Sequence, residues 1–336
     1  MSCITPASIQ STLLRKDSYL SIETLDLFSQ RIPNKRLSEN GIDWRGDWLF
    51  RRERLKLLDS LFYSRLSNII FLQGVLEKKG DPHDQDLKVL TDGALRDYRW
   101  ESQVFQFYED TWEEESLAVG VSFPLKLIEP AEDEKSENTN EEAQTLAERL
   151  VLEPEFAIYF VKVDYDGEDL LLINIKFRPE MADKNLNSYS RYIDSNRIYS
   201  KVIASLKSII SKAAVCDKRI VVAGYLPHAL QNQEFLASLA EIGLKSTHEI
   251  FCPVLSECFT QKIDNQIFAQ STLEKNEQLA DLILVPVDAN VHLALRGNTE
   301  AAVSSIYTKQ SYDITKIPAS IRDAWVTRVE IKSCKS

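Results

Sequence analysis

The chain has no long apolar run. Nowhere in its 336 residues do roughly 18 apolar residues stand together, the length needed to cross a bilayer. Residues 1–20 also lack the basic start and continuous apolar segment of a secretory signal. Both absences predict a soluble protein of the cytoplasm or another intracellular compartment. Cysteine is scarce: Cys3, Cys216, Cys252, Cys258 and Cys334 are odd in number and scattered, which argues against a disulfide framework and fits a reducing compartment. Cys252 and Cys258 lack the spacing of a zinc knuckle and read as ordinary thiols. Positive charge is in deficit, with 40 Lys and Arg against 51 Asp and Glu for a formal net charge of −11. That balance disfavours broad nucleic-acid or anionic-membrane binding, since both rest on excess Lys and Arg. Aromatic residues nowhere interleave with basic ones as in a single-strand groove. A Gly-rich phosphate loop, a His-Glu-x-x-His helix and a Gly-x-Ser-x-Gly elbow are all missing.

What is present suits a sizeable core. A hydrophobic content of 44% over this length buries one large core or two modest ones without covalent staples. Much of the negative charge is local, because residues 129–150 hold eight acids and two bases. That stretch is poor in aromatic and branched residues and cannot bury enough apolar surface to offset its ordering entropy, so a disordered acidic insertion is predicted there. Residues 1–17 read as a loose arm, and 18–336 as one domain carrying the insertion.

Residues 19–28 read as a first strand. The segment 48–66 carries Leu55, Leu58, Leu61, Phe62 and Leu66 at helical spacing, and 68–72 is a short, fully apolar strand. Strands follow at 105–108 and 117–127, joined by an exposed link through Trp112, Glu113, Glu114 and Glu115. Residues 156–163 and 170–177 flank Asp164-Tyr165-Asp166-Gly167-Glu168, whose Asp-Gly pair signals an antiparallel hairpin. Ile198, Val202, Leu206, Ile209 and Ile210 predict a helix over 191–214. A strand at 220–223 and a second helix at 231–242 follow, the latter burying Phe235, Leu236, Leu239 and Ile242 and stopping at Gly243. Residues 281–287 and 325–331 supply the last strands. The alternation predicts an α/β domain with a mixed or mostly antiparallel sheet system.

The most informative stretch is 219–228, Arg-Ile-Val-Val-Ala-Gly-Tyr-Leu-Pro-His. It has the outline of a strand end that presents acids to a metal, yet Tyr225 and Pro227 stand at the turn. Four other strand ends accompany it in order. Trp48, Arg51 and Arg52 precede an apolar helix and Asn68-Ile69-Ile70-Phe71-Leu72-Gln73. Then come Leu172-Ile173-Asn174-Ile175-Lys176, the strand opening at Asp281, and Ser320-Ile321-Arg322 before Trp325. Taken together these motifs resemble the endonuclease/exonuclease/phosphatase superfamily over roughly residues 19–331. The resemblance implies a deoxyribonuclease I-like fold: an α/β four-layered sandwich of two packed mixed or antiparallel β-sheets flanked by helices.

The same resemblance implies that the family's catalytic groups are largely replaced. Gly74 stands where the family's Glu binds the divalent metal, and Lys176 replaces the His that follows Asn174 by two. Tyr225 and Pro227 replace the Asp and Asn of the turn. Beside the matched Ser320, Ile321 and Arg322 replace the final Asp and His. Asp281 is the one retained acid, and Asp26 falls near a metal-proximal position. Groups that act as a unit do not compensate for one another, so several losses together remove hydrolysis. The expectation is a catalytically degenerate protein, a pseudoenzyme acting as a binding or scaffolding module. It would need no metal or cofactor and would take a protein partner or a phosphorylated small ligand. Asp26, Gly74, Asn174, Lys176, Tyr225, Pro227, Ser320 and Arg322 make up the vestigial cleft, where Lys176 and Arg322 offer positive charge to an anion. Plain structural readings stand beside these: Lys176 and Arg322 as solvated or paired charges, Asp281 as a cap, His228 as a lone loop histidine. The alternative is a divergent, active, Mg-dependent nuclease or phosphatase with ligands relocated to Asp26, Glu77, Asp288 or Asp323.

Overall fold

The structure is a computed structural model and describes residues 19–27, 67–78, 85–93, 95–108, 113–128, 149–178, 195–226, 229–248, 281–297 and 324–334. In chain order its elements are β1 (Leu20–Asp26), β2 (Ile69–Lys78), α1 (Asp86–Thr91), β3 (Arg99–Tyr108), β4 (Glu113–Val121), β5 (Lys126–Leu127), β6 (Leu150–Leu152), β7 (Phe156–Tyr165), β8 (Glu168–Phe177), α2 (Ser195–Ala213), β9 (Ile220–Tyr225), α3 (Gln233–Glu241), β10 (Leu244–Ser246), β11 (Asp281–Pro286), β12 (Asn290–Gly297) and β13 (Ala324–Glu330). One sheet has the order β12-β13-β1-β2-β4-β3. The other runs β10-β11-β9-β8-β7-β5, with β6 also paired to β7. Both are mixed: β1 and β2 are parallel in the first, β8 and β9 in the second, and the remaining pairs are antiparallel.

The sheets pack face to face because alternate residues of their central strands are apolar on both sides. Leu170 and Leu172 of β8 join Leu20, Ile22, Phe71, Leu117 and Val119 of the facing sheet, whereas Leu171, Ile173 and Ile175 look toward the helices. A strand buried on both faces reads as a continuous apolar run, as β8 does. α2 covers the helix-facing side with Ile198, Val202, Leu206 and Ile209, one stripe at helical spacing. α3 adds Phe235 and Leu239 and is capped by Asn232, whose side chain accepts the Phe235 amide at 2.8 Å. On the far side of the first sheet, Leu90 of α1 packs with Ile70, Leu72 and Val75. Each fully buried side chain of this kind contributes about 1.5–3 kcal/mol. Helix, sheet, sheet and helix make the four layers of a deoxyribonuclease I-like sandwich.

The hairpin of β7 and β8 turns at Asp166-Gly167 as its sequence requires, with Asp164 Oδ1 accepting the Gly167 amide at 2.8 Å. Other expectations are corrected. β2 continues through a bulge at Gly74 to Lys78. Glu113, Glu114 and Glu115 are no exposed link but open β4, where pairing to both β2 and β3 outweighs the weak strand preference of glutamate. The run 117–127 is broken by a turn in which the Leu125 amide bonds Ser122 O. β12 was not expected. The cysteines are not all thiols, because Cys216 and Cys334 form a disulfide with Cα atoms 6.5 Å apart. Their separation of 118 residues conceals a meeting that arises where the chain leaves β13 beside the start of β9. The arm at 1–17, the helix at 48–66 and residues 129–148 lie outside the described residues, whereas Arg149 and Leu150 lead into β6. Among the described residues no helix is long and apolar enough to cross a membrane.

Candidate functional site at the strand ends

β1, β4 and β8 bring three charged side chains to one point between the sheets. Asp26 continues the inward register of Leu20 and Ile22, Glu115 that of Leu117 and Val119, and Lys176 that of Leu170 and Leu172. Lys176 Nζ lies 3.1 Å from Asp26 Oδ1 and 2.8 Å from Glu115 Oε1, and all three side chains are 1–3% exposed. Burial alone would lower the lysine pKa, but the carboxylates of Asp26 and Glu115 outweigh it and hold the ammonium above the ordinary lysine value. The cluster therefore sets one ammonium against two carboxyl groups in a water-poor space. Lys176 is thus placed as a paired charge, the plain structural reading that stood beside the anion-site expectation.

A second polar connection runs beside the first. Asn174 Nδ2 donates to Leu72 O and Ala118 O, each at 2.9 Å, while its Oδ1 accepts from Gln73 Nε2 at 2.7 Å. Gln73 Nε2 also donates to Thr24 Oγ1 at 3.1 Å. Asn174 thus pins β8 to the backbones of β2 and β4, and its amide donors are fully used. Gly74 follows Gln73 with φ 68° in the bulge of β2. A side chain in that left-handed conformation is strained, so glycine suits the bulge and offers no ligand.

Tyr225 is the register partner of Lys176 across β8 and β9, and of Asp281 across β9 and β11. Its side chain nevertheless leaves the cleft and is buried among the helix-facing apolar residues with Leu226 and Phe235, which corrects its expected place in the vestigial cleft. The cause is Gly224, whose φ of 146° interrupts the alternation so that Val222 and Tyr225 share a face. A Cβ at Gly224 would collide with the Ile175 backbone, so only glycine lets β9 approach β8 so closely. Asp281 opens β11, largely buried. It sits two strands from Lys176, roughly 10 Å at the usual strand spacing.

Of the candidate relocated ligands, Asp26 belongs to this cluster, whereas Glu77 and Asp288 keep other company. Glu77, two residues beyond Val75, lies with Asp86 and Glu114; burial first, then those two charges, raise its carboxyl pKa. Asp288 lies beyond the other end of β11 and faces Lys332 at 3.9 Å. Pro227, His228, Ser320, Ile321, Arg322 and Asp323 fall outside the described residues. A divalent metal does not fit Asp26 and Glu115 as they stand: Mg²⁺ wants six oxygens at about 2.1 Å, and these carboxylates already hold an ammonium. Glu115 was missed in the sequence, although stepping back by two from Val121, Val119 and Leu117 reaches it.

No protein-family model matches the sequence, and no curated protein matches it. Solved structures do. TDP2 from C. elegans aligns over 97% of this chain and 81% of its own, at 10% identity and a TM-score of 0.51. A humanized D. rerio TDP2 aligns over 93% of this chain and 99% of its own, at 12% identity and a TM-score of 0.50. An endonuclease/exonuclease/phosphatase family protein from Bacteroides thetaiotaomicron aligns over 94% and 98%, at 13% identity and a TM-score of 0.50. At such identities the likeness is one of architecture. With its two mixed sheets packed face to face between helices, the chain has the fold of the endonuclease/exonuclease/phosphatase proteins.

Proposed function

We propose that this protein keeps the sandwich of the phosphoesterases it resembles without their hydrolysis, and serves as a binding or scaffolding module for a protein partner. The observation that carries this reading is the Lys176 ammonium held between Asp26 and Glu115, each side chain 1–3% exposed. Phosphoester hydrolysis on such a scaffold calls for an oxygen-rich metal site and a base that activates water. Here a covalently tethered cation takes up the carboxylates, and Gly74 adds no oxygen. Reaching those acids requires breaking a buried ion pair, which costs several kcal/mol.

The test is an activity screen of the purified chain on single- and double-stranded nucleic acid, phosphoinositides and sphingomyelin, with Mg²⁺ or Mn²⁺. The expected outcome is no turnover above the buffer control. Metal-dependent turnover that disappears in Asp281→Ala would instead establish the active phosphoesterase reading and overturn this one.

A further inference from the structure

The end of the sandwich away from Lys176 carries another connection between the sheets. Beyond β13, Ile331 is buried between the sheets and the chain passes onto the second sheet. Ser333 Oγ donates to Glu168 Oε1 at 2.8 Å, and the Cys334 amide donates to Glu168 Oε2 at 3.1 Å. Glu168 opens β8 and is paired at 3.0 Å with Arg219, which is 2% exposed. Cys334 is then bonded to Cys216 in the turn between α2 and β9. One polar link and one covalent link therefore fasten the same residues.

Two properties separate this bridge from a buried staple. Cys216 is exposed and Cys334 only half-buried, so a thiolate from solvent reaches the sulfurs. The polar link also uses no sulfur atom. The Cys334 amide and the Ser333 hydroxyl bond Glu168 through atoms outside the S–S bond, and Arg219 pairs with the same carboxylate. A polar link that survived reduction would hold the two thiols near each other, sparing them a search across a 118-residue separation.

We propose that Cys216–Cys334 is a reversible thiol–disulfide exchange site whose reaction partner is a small dithiol or its cyclic disulfide, with Glu168 as the positioning residue that keeps the pair in register. A dithiol thiolate attacks Cys216 Sγ, the S–S bond breaks, and Cys334 leaves as a thiolate that takes a proton from water. The second thiol of the reagent then attacks the mixed disulfide, releasing the Cys216 thiol and the cyclic disulfide. Two electrons pass from dithiol to bridge, and the reverse reaction returns them.

The experiment equilibrates the full chain with reduced or oxidised dithiothreitol, quenches with acid, alkylates and maps the cysteines by peptide mass spectrometry. Expected are a two-thiol transition confined to Cys216 and Cys334, a higher melting temperature in the oxidised state, and recovery of the bridge on return to oxidised reagent. Cys216→Ser/Cys334→Ser should melt alike in both buffers. In Glu168→Ala, loss of positioning should slow re-formation roughly tenfold, with part of the population pairing to Cys3, Cys252 or Cys258; Glu168→Gln, which keeps one acceptor, should recover part of the rate. A bridge that resists reduction in the native protein, or both cysteines alkylated in oxidised buffer, overturns the exchange site. Re-formation at the wild-type rate in Glu168→Ala overturns the role of Glu168. The wild-type arms test the exchange independently of how well that variant folds.

Discussion

Arg219 and Lys176 are both buried cations between the sheets, at opposite ends of the sandwich, yet their surroundings differ. Arg219 pairs with Glu168, donates to the backbone oxygens of Tyr165, Asp169 and Lys332, and lies over the Tyr165 ring. One acid and a ring of carbonyls match the fixed donors of a guanidinium, and the charge balances. Lys176 meets two carboxylates. The arginine end is a joint of the fold. The lysine end ties β8 to β1 and β4 through two carboxylates, at the strand ends where the resemblance places chemistry, and that position is what makes it the candidate site.

The largest expected effect comes from removing the lysine. Lys176→Met takes the ammonium away from Asp26 and Glu115 in a dry space, a loss of about 3–5 kcal/mol, read from urea denaturation. Neutralising the acids as well, in Asp26→Asn/Lys176→Met/Glu115→Gln, should recover most of it. Millimolar manganese should stabilise Lys176→Met and leave the wild type unchanged, because only the variant exposes two carboxylates to a second cation. A wild-type protein that gains stability with manganese would break the contrast between the two ends. Next in size is Arg219→Lys. A point charge cannot serve Glu168 and three carbonyls together, and the carbonyls left unbonded should cost about 2–3 kcal/mol.

How much of this contrast was legible in the sequence follows from the range of each interaction. The hairpin of β7 and β8, α2 and α3 were readable because an Asp-Gly turn and helical spacing act over a few residues. Asn174 and Lys176 could be placed at a strand end, but their partners could not. Asp26 is 150 residues from Lys176, and whether it pairs with that lysine or holds a metal depends on how two sheets face each other. Glu115 was hidden by its neighbours: three successive glutamates read as a solvated link, although alternation in β4 points the third inward. The Cys216–Cys334 bridge was hidden by the odd count of cysteines. Tyr225 was misplaced because one glycine, Gly224, shifts the alternation of β9.

Alkaline pH separates the ends with a smaller effect. The raised pKa of folded Lys176 means that the native state holds this proton more tightly than the unfolded chain does. Its stabilisation is fully present below the ordinary value of 10.5 and is lost as pH rises through the higher folded value. A guanidinium, unlike an ammonium, is not deprotonated in proteins. The stability difference between wild type and Lys176→Met should therefore be flat at neutral pH and shrink only above pH 10.5. Arg219→Lys should acquire an alkaline loss of its own at the other end, and an unchanged alkaline profile in that variant would mean that Glu168 does not hold a lysine there as Asp26 and Glu115 hold Lys176.

The smallest effect concerns the backbone that keeps acids away from Lys176. Gly74 has φ 68° in the bulge of β2, and forcing alanine into that conformation costs about 1 kcal/mol. Because side chains alternate along a strand, the bulge decides which way Val75 and Glu77 face; at present Val75 packs with α1 and Glu77 stands beside Asp86. If Gly74→Ala loses about 1 kcal/mol and shows no manganese response, the bulge is held by its surroundings and Glu77 stays outside. A loss near zero accompanied by stabilisation with manganese would mean that β2 has reset its register and turned Glu77 inward. In that event Gly74, and not Lys176 alone, keeps the two-carboxylate cluster from becoming a three-carboxylate one.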